Sequence, residues 1–140
     1  MNQESELVVH AINLHNKIQK RIGRSLSAHG IGLSEYLVLK QLYDAAGQTM
    51  RRSDLAELVG LSPSGVTRLL NPMEKIGLVN KEEAPRDARV SLVALSSAGM
   101  QIFEEAQASF QQAATAMFES LGAERLNTLF ELLSETTHAV

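Results

Sequence analysis

The feature that most constrains this chain is a corner. Within Ser53–Leu70, two short apolar patterns of helical period meet at Gly60–Ser62. Leu55, Leu58 and Val59 fall at i, i+3 and i+4, one apolar face of a short helix. Gly60 stands where a helix end wants a residue tolerant of positive φ. Ser62 supplies an N-cap oxygen, and Pro63 takes the first helical position, where its missing N–H loses no bond. Val66, Leu69, Leu70 and Met73 form the inward face of a second helix. Ser62, Ser64, Gly65, Thr67 and Arg68 then point outward or sit at its exposed start. This arrangement describes a helix-turn-helix. Pro72 lies inside the second helix, where it removes a backbone bond and crowds the carbonyl of Arg68. A kink or an end to regular bonding is expected there, separating the outward first half from a core-packed Met73–Ile76.

The residues after the corner narrow the possibilities. Gly77 ends the second helix, Leu78–Glu83 reads as a strand, Ala84–Arg89 as a charged turn and Val90–Leu95 as a second strand. The pair makes a β-hairpin wing with Arg86 and Arg89 on its turn. Asp54–Ala56, Leu61–Ser62, Val66–Leu69, Glu74–Val79, Pro85–Arg89 and Leu95–Gly99 together resemble the multiple-antibiotic-resistance regulator (MarR) family of winged helix-turn-helix repressors. A helix-turn-helix pattern alone is common. The same pattern followed by an Asp-x-Arg turn and Leu-Ser-x-x-Gly at this distance is specific.

Charge at first argues against nucleic acid. The net charge is −3 and the pI about 5.8, whereas DNA-binding domains are usually basic. Its distribution answers the objection. Residues 50–90 carry seven Lys/Arg against six Asp/Glu, and residues 96–140 carry only Arg125 against six Glu. A chain that separates its charges in this way can present a basic surface. With 140 residues, the chain is expected to form a single domain. It has no cysteine, which excludes disulfides, thiolate metal sites and thiol redox sensing. Met1–Glu6 is polar and acidic, unlike a signal peptide, and no apolar run approaches the roughly 18–20 residues that span a bilayer. A cytoplasmic setting without membrane contact is expected.

Outside the winged module, residues 34–95, the chain reads as helix. From Glu4 to about Ala28, Leu7, Ala11, Leu14, Ile18 and Ile22 make an apolar stripe, with His15 inside its arc and His10 and Arg21 at its edge. After a break at His29–Gly32, Ser34 is expected to cap a helix from Glu35 to about Ala46, with Leu37, Val38, Leu42 and Ala45 inward and Tyr36 in the first turn. Gln48–Arg52 reads as a connector. Ser96 caps a helix to about Leu121, striped by Met100, Phe103, Ala106, Phe110, Ala113 and Met117. Gly122 breaks it, and a last helix to about Thr137 carries Leu126, Leu129, Phe130 and Leu133. These end stripes exceed what the small winged module can cover, and apolar helices are stable mainly through packing. A two-fold dimer built from residues 1–30 and 96–140 removes that surface from water. The resemblance implies the same intertwined arrangement.

The expected fold is therefore mainly α with a small β-hairpin wing: a winged helix-turn-helix with long N- and C-terminal dimerisation helices. Catalytic motifs are missing, from phosphate loops to nucleophile elbows, so no enzyme is expected. The histidines at 10, 15, 29 and 138 include no i, i+4 pair, and no metal or other cofactor is expected. The function expected is a homodimeric repressor of a pseudo-palindromic double-stranded DNA operator. Ser62, Ser64 and Thr67 would hold phosphates and base edges, Gly65 would allow close approach, and Arg68 would read guanine. Arg89, with Arg86, would enter a minor groove. The resemblance implies that Asp87 braces the turn and orients arginine. It also implies a small aromatic acid effector bound where the dimer helices meet the winged module, for which His15 and Tyr36 are the candidates. The alternative is a winged-helix module used for protein–protein contact, its wing charges merely solvated.

Overall fold

The computed structural model describes residues 1–140, with side chains described for all except Ala88. Helix α1 spans Gln3–Ser27, and Asn2 opens it by accepting a bond from the Ser5 N–H at 2.9 Å. Its apolar stripe is buried only toward the C-terminal end, at Ile22 and Leu26, while Leu7, Val8 and Ile12 remain exposed. Gly30 turns the chain with φ +75°. Helix α2, Leu33–Asp44, starts two residues earlier than a Ser34 cap would give. The Glu35 carboxylate reaches back to the Gly32 N–H at 3.0 Å, so a side chain from the first turn takes the place expected of the serine hydroxyl.

Helix α2 is the hub of the core. It packs against α1 and against the later helices and sheet, so it buries a wider arc than the single stripe read from the sequence. Tyr36, Val38, Leu39 and Leu42 are buried, whereas Leu37, expected to face inward, is 38% exposed. After α2 a 3-10 turn at Ala46–Gln48 places Gly47 and Gln48 at positive φ. The expected connector then becomes a strand: β1, Thr49–Arg51, pairs with the far edge of the wing. The wing is thus part of a three-stranded antiparallel sheet rather than a bare hairpin. Its order is β1, then β3 (Asp87–Leu95), then β2 (Val79–Ala84).

Helices α3, Arg52–Val59, and α4, Pro63–Lys75, form the corner. Gly60 closes α3 in the left-handed region at φ +72°. Leu55 and Ala56 are buried, but Leu58 is 57% exposed because α3 is short and turns only one narrow face to α2 and α4. Helix α4 runs through Pro72 without ending there. Both Pro72 and Arg68 are exposed, so water can satisfy the carbonyl that the proline deprives of a partner. Val66, Leu70 and Met73 anchor α4, whereas Ile76, expected in the core, is 64% exposed.

Ser96 joins sheet to helix. Its Oγ accepts from the Gly99 N–H at 2.9 Å and lies 2.8 Å from the Leu78 carbonyl. Helix α5, Ser97–Phe118, begins here; a Cβ on Gly99 would fall 2.1 Å from the Leu78 carbonyl oxygen, so only glycine lets α5 dock at this point. Phe103 and Ala106 are buried beneath it, and the Tyr36 ring stacks on Phe110 at 4.5 Å and 8°. Gly122, at φ +77°, breaks the chain into α6, Gly122–Ala139, which contains no buried residue.

Candidate nucleic-acid interface

The corner presents the start of α4 to solvent. Ser62 Oγ accepts from the Gly65 N–H at 3.0 Å and lies 3.2 Å from Ser64 Oγ. These two hydroxyls share one bond, so one hydrogen remains for an outside acceptor. A Cβ on Gly65 would stand 3.1 Å from Ser62 Oγ, so glycine here keeps the cap uncrowded. Arg68 projects from the exposed face of α4, opposite buried Val66 and Leu70.

Thr67 is placed differently from its neighbours. Its hydroxyl is half-buried, donates to the Pro63 carbonyl at 3.1 Å and accepts from Arg52 Nη2 at 2.9 Å. A phosphate only accepts, so this hydroxyl can serve one only by releasing Pro63. What Thr67 does within the chain is tie α4 to the first residue of α3. No sequence signal points to this tether, because Arg52 and Thr67 meet only once the corner has folded.

The wing turns tightly. Ala84 pairs with Asp87, leaving Pro85 and Arg86 at the tip, and the register shifts between Glu83 and Ala84. Arg86 is exposed. Asp87 grips Arg89: Oδ1 accepts from the Arg89 N–H at 3.0 Å and from Nε at 3.1 Å, and Oδ2 accepts from Nη2 at 3.2 Å. The Arg89 side chain holds the Asp87 carboxyl below the usual carboxylate range, helped by its backbone N–H and by the charge of Arg51. The pair is therefore closed at neutral pH. The Arg89 side chain stays 91% exposed, its direction fixed by its own neighbour instead of by the core.

His15 and Tyr36 lie in contrasting surroundings. His15 is exposed on α1, one turn before half-buried Ile18. Tyr36 is 2% exposed, its ring against Phe110 and, at 5.2 Å, Phe103. Burial raises the Tyr36 hydroxyl above its usual pKa, and the charge of Asp44 adds to this. Nearby, His29 Nε2 lies 2.8 Å from Ser109 Oγ and links the turn after α1 to α5.

Comparison with known proteins agrees with this geometry. The MarR family model matches residues 31–91, from the start of α2 into the wing. YdgJ of Bacillus subtilis, described as an uncharacterized HTH-type transcriptional regulator, is 30% identical over 118 residues, 84% of this chain and 71% of its own length. The HTH-type transcriptional regulator PrsX of Escherichia coli is 30% identical over 98 residues, 70% of this chain. The match spans 59% of the length of PrsX. The crystal structure of Sco3205, a MarR family transcriptional regulator from Streptomyces coelicolor in complex with DNA, has the same fold. Its TM-score is 0.87 over 99% of this chain and 92% of that one, at 22% identity.

Proposed function

The chain belongs to the MarR family of HTH-type transcriptional regulators, and on that premise we propose that it is a homodimeric repressor that binds a pseudo-palindromic DNA operator in the cytoplasm. The observation that carries this reading is the exposed start of α4. Ser62, Ser64 and Arg68 stand clear of the core on a helix anchored by Val66, Leu70 and Met73, on the same module as a wing whose arginine is held outward. In this reading α4 enters the major groove, with Arg68 on a guanine edge. Ser62 and Ser64 bond phosphates, Gly65 permits close approach, and Thr67 acts through its tether to Arg52. Arg89, oriented by Asp87, enters the minor groove with Arg86. Residues 34–95 form the DNA-binding module.

The dimer is supported by α1 and α6. Phe130 is 68%, Leu133 61%, Leu7 65% and Ile12 53% exposed, an apolar surface that a second copy would cover. Release by a small aromatic acid belongs to the same proposal. Tyr36, buried with Phe110 stacked and Phe103 tilted against it, would place an aromatic cluster behind such a ligand, and His15 offers a donor once α1 is covered. Binding of salicylate to free and operator-bound protein tests this part, because an inducer must bind the two forms with different affinity.

A gel shift with the DNA upstream of the chain's own gene tests the main proposal. A discrete complex that survives unrelated competitor DNA is expected. Its absence, together with a protein captured by the winged module, would favour the protein–protein alternative.

A further inference from the structure

Where the start of α3 passes the root of the wing, Arg51, Arg52, Ser53, Arg89 and Ser91 line a cleft of about 280 Å³. Sheet register creates it. β1 ends by pairing Arg51 with Leu92, so the β3 residues before Leu92 run on beside the first turn of α3. Arg51 is at once the last residue of β1 and the N-cap of α3, and its side chain caps nothing. Three arginines therefore converge on one cleft, against Asp87, which Arg89 already grips, and Asp54 in the first turn of α3.

Each arginine has a distinct state. Arg51 is exposed. Arg89 gives Nε and Nη2 to Asp87, which leaves Nη1 as the nitrogen that a second acceptor would use. Arg52 is half-buried and bonded to Thr67, which connects the cleft to α4. Ser91 also lines the cleft, and its buried hydroxyl has no hydrogen-bond partner among the described residues.

We infer that this cleft seats a single backbone phosphate in each protomer, on the DNA strand dividing the major groove read by α4 from the minor groove entered by the wing. The inference rests on the DNA-binding reading above and adds Arg51 and Arg52 to the residues that carry it. Geometry supplies the reason. A helix in one groove and a wing in the next must straddle the intervening strand, and the cleft lies where the start of α3, tied to α4 by the Arg52–Thr67 bond, meets the wing. One phosphate there would bridge the wing root and, through Arg52 and Thr67, the recognition helix.

The test is phosphate-ethylation interference and salt-dependent binding on the full chain, comparing wild type with Arg51→Gln and Arg51→Lys. In wild type, ethylation of one phosphate per half-site between the two groove contacts should block binding. In Arg51→Gln that position should stop interfering. The slope of log affinity against log salt should also shrink by about 2 for a dimer, roughly one per seat, with operator and unrelated DNA weakened alike. Arg51→Lys should restore the slope. Unchanged interference and slope in Arg51→Gln, with wild type binding normally, would overturn the phosphate seat alone. Wild type that binds no DNA would instead remove the reading it rests on. Inorganic phosphate, titrated into DNA-free protein against matched chloride, separates the two sources of the anion. Arg51-dependent thermal stabilisation at sub-millimolar phosphate would assign the cleft to a free oxyanion and overturn the DNA seat.

Discussion

Arg89 combines full exposure with a fixed direction, and the fixing comes from Asp87 two residues away. Replacing it should therefore affect binding and little else. Arg89→Ala is expected to weaken operator binding about tenfold or more while leaving the melting temperature within about 1–2 °C, since exposed side chains seldom change stability by more than about 0.5 kcal/mol. Fluorescence anisotropy and thermal melting check the two halves. Tyr36 gives a prediction in pH. Its folded pKa is raised by burial and by Asp44, so the folded state favours the neutral phenol. That contribution is complete below the unfolded value of 10.0 and is lost as pH rises toward the folded value. Tyr36→Phe should flatten the decline in stability above pH 10, measured by urea unfolding. An identical decline in the variant would show that this hydroxyl is not its source. The caps at Gly60, Ser62 and Ser96 are legible in the sequence because each is a local match between one residue and nearby backbone groups. The Arg52–Thr67 bond is not, because it joins two elements whose meeting only the fold decides.

Elements are legible in proportion to how far local pattern controls them. All six α-helices and both strands of the hairpin can be read from the sequence, as can the corner at Gly60–Ser62. Strand β1 cannot. Three residues are too few to show alternation, and β1 exists because β3 offers a free edge as the chain passes. Inward faces fail in the same way: Leu58 and Leu37 fit a helical stripe, yet the partners that would cover them lie elsewhere. The junction between sheet and α5 is the most demanding contact between elements. Gly99→Ala must move the Leu78 backbone, since the added carbon would meet its carbonyl oxygen. A loss of about 1–3 kcal/mol is expected, the usual cost of overpacking. Calorimetry should show the lower melting temperature, and unchanged stability would mean that α5 can slide at this contact.

At the scale of the molecule, one chain leaves much of its apolar surface uncovered. Helix α6 buries nothing, and the first half of α1 is bare, although both are apolar on one side. The end stripes are readable from the sequence; what covers them is the partner proposed here. Replacing Phe130 and Leu133 with glutamate should weaken the dimer roughly 100-fold or more, because each loses about 1.5–3 kcal/mol of burial, while the winged module keeps its core. Sedimentation checks the first effect and circular dichroism the second. A variant still dimeric at wild-type concentrations would place the interface elsewhere. The acidic total charge also makes sense at this scale, with six glutamates against one arginine on residues 96–140 and seven Lys/Arg on residues 50–90. The central claim is that two copies grip one operator through both recognition helices and both wings. Operator affinity measured between 50 and 200 mM salt, with stoichiometry determined in the same titration, tests it most directly. Two chains per site and an affinity falling by roughly 10³–10⁵, as expected for about 6–10 phosphate contacts, is the predicted result. A salt-independent affinity, or one chain per operator, would contradict it.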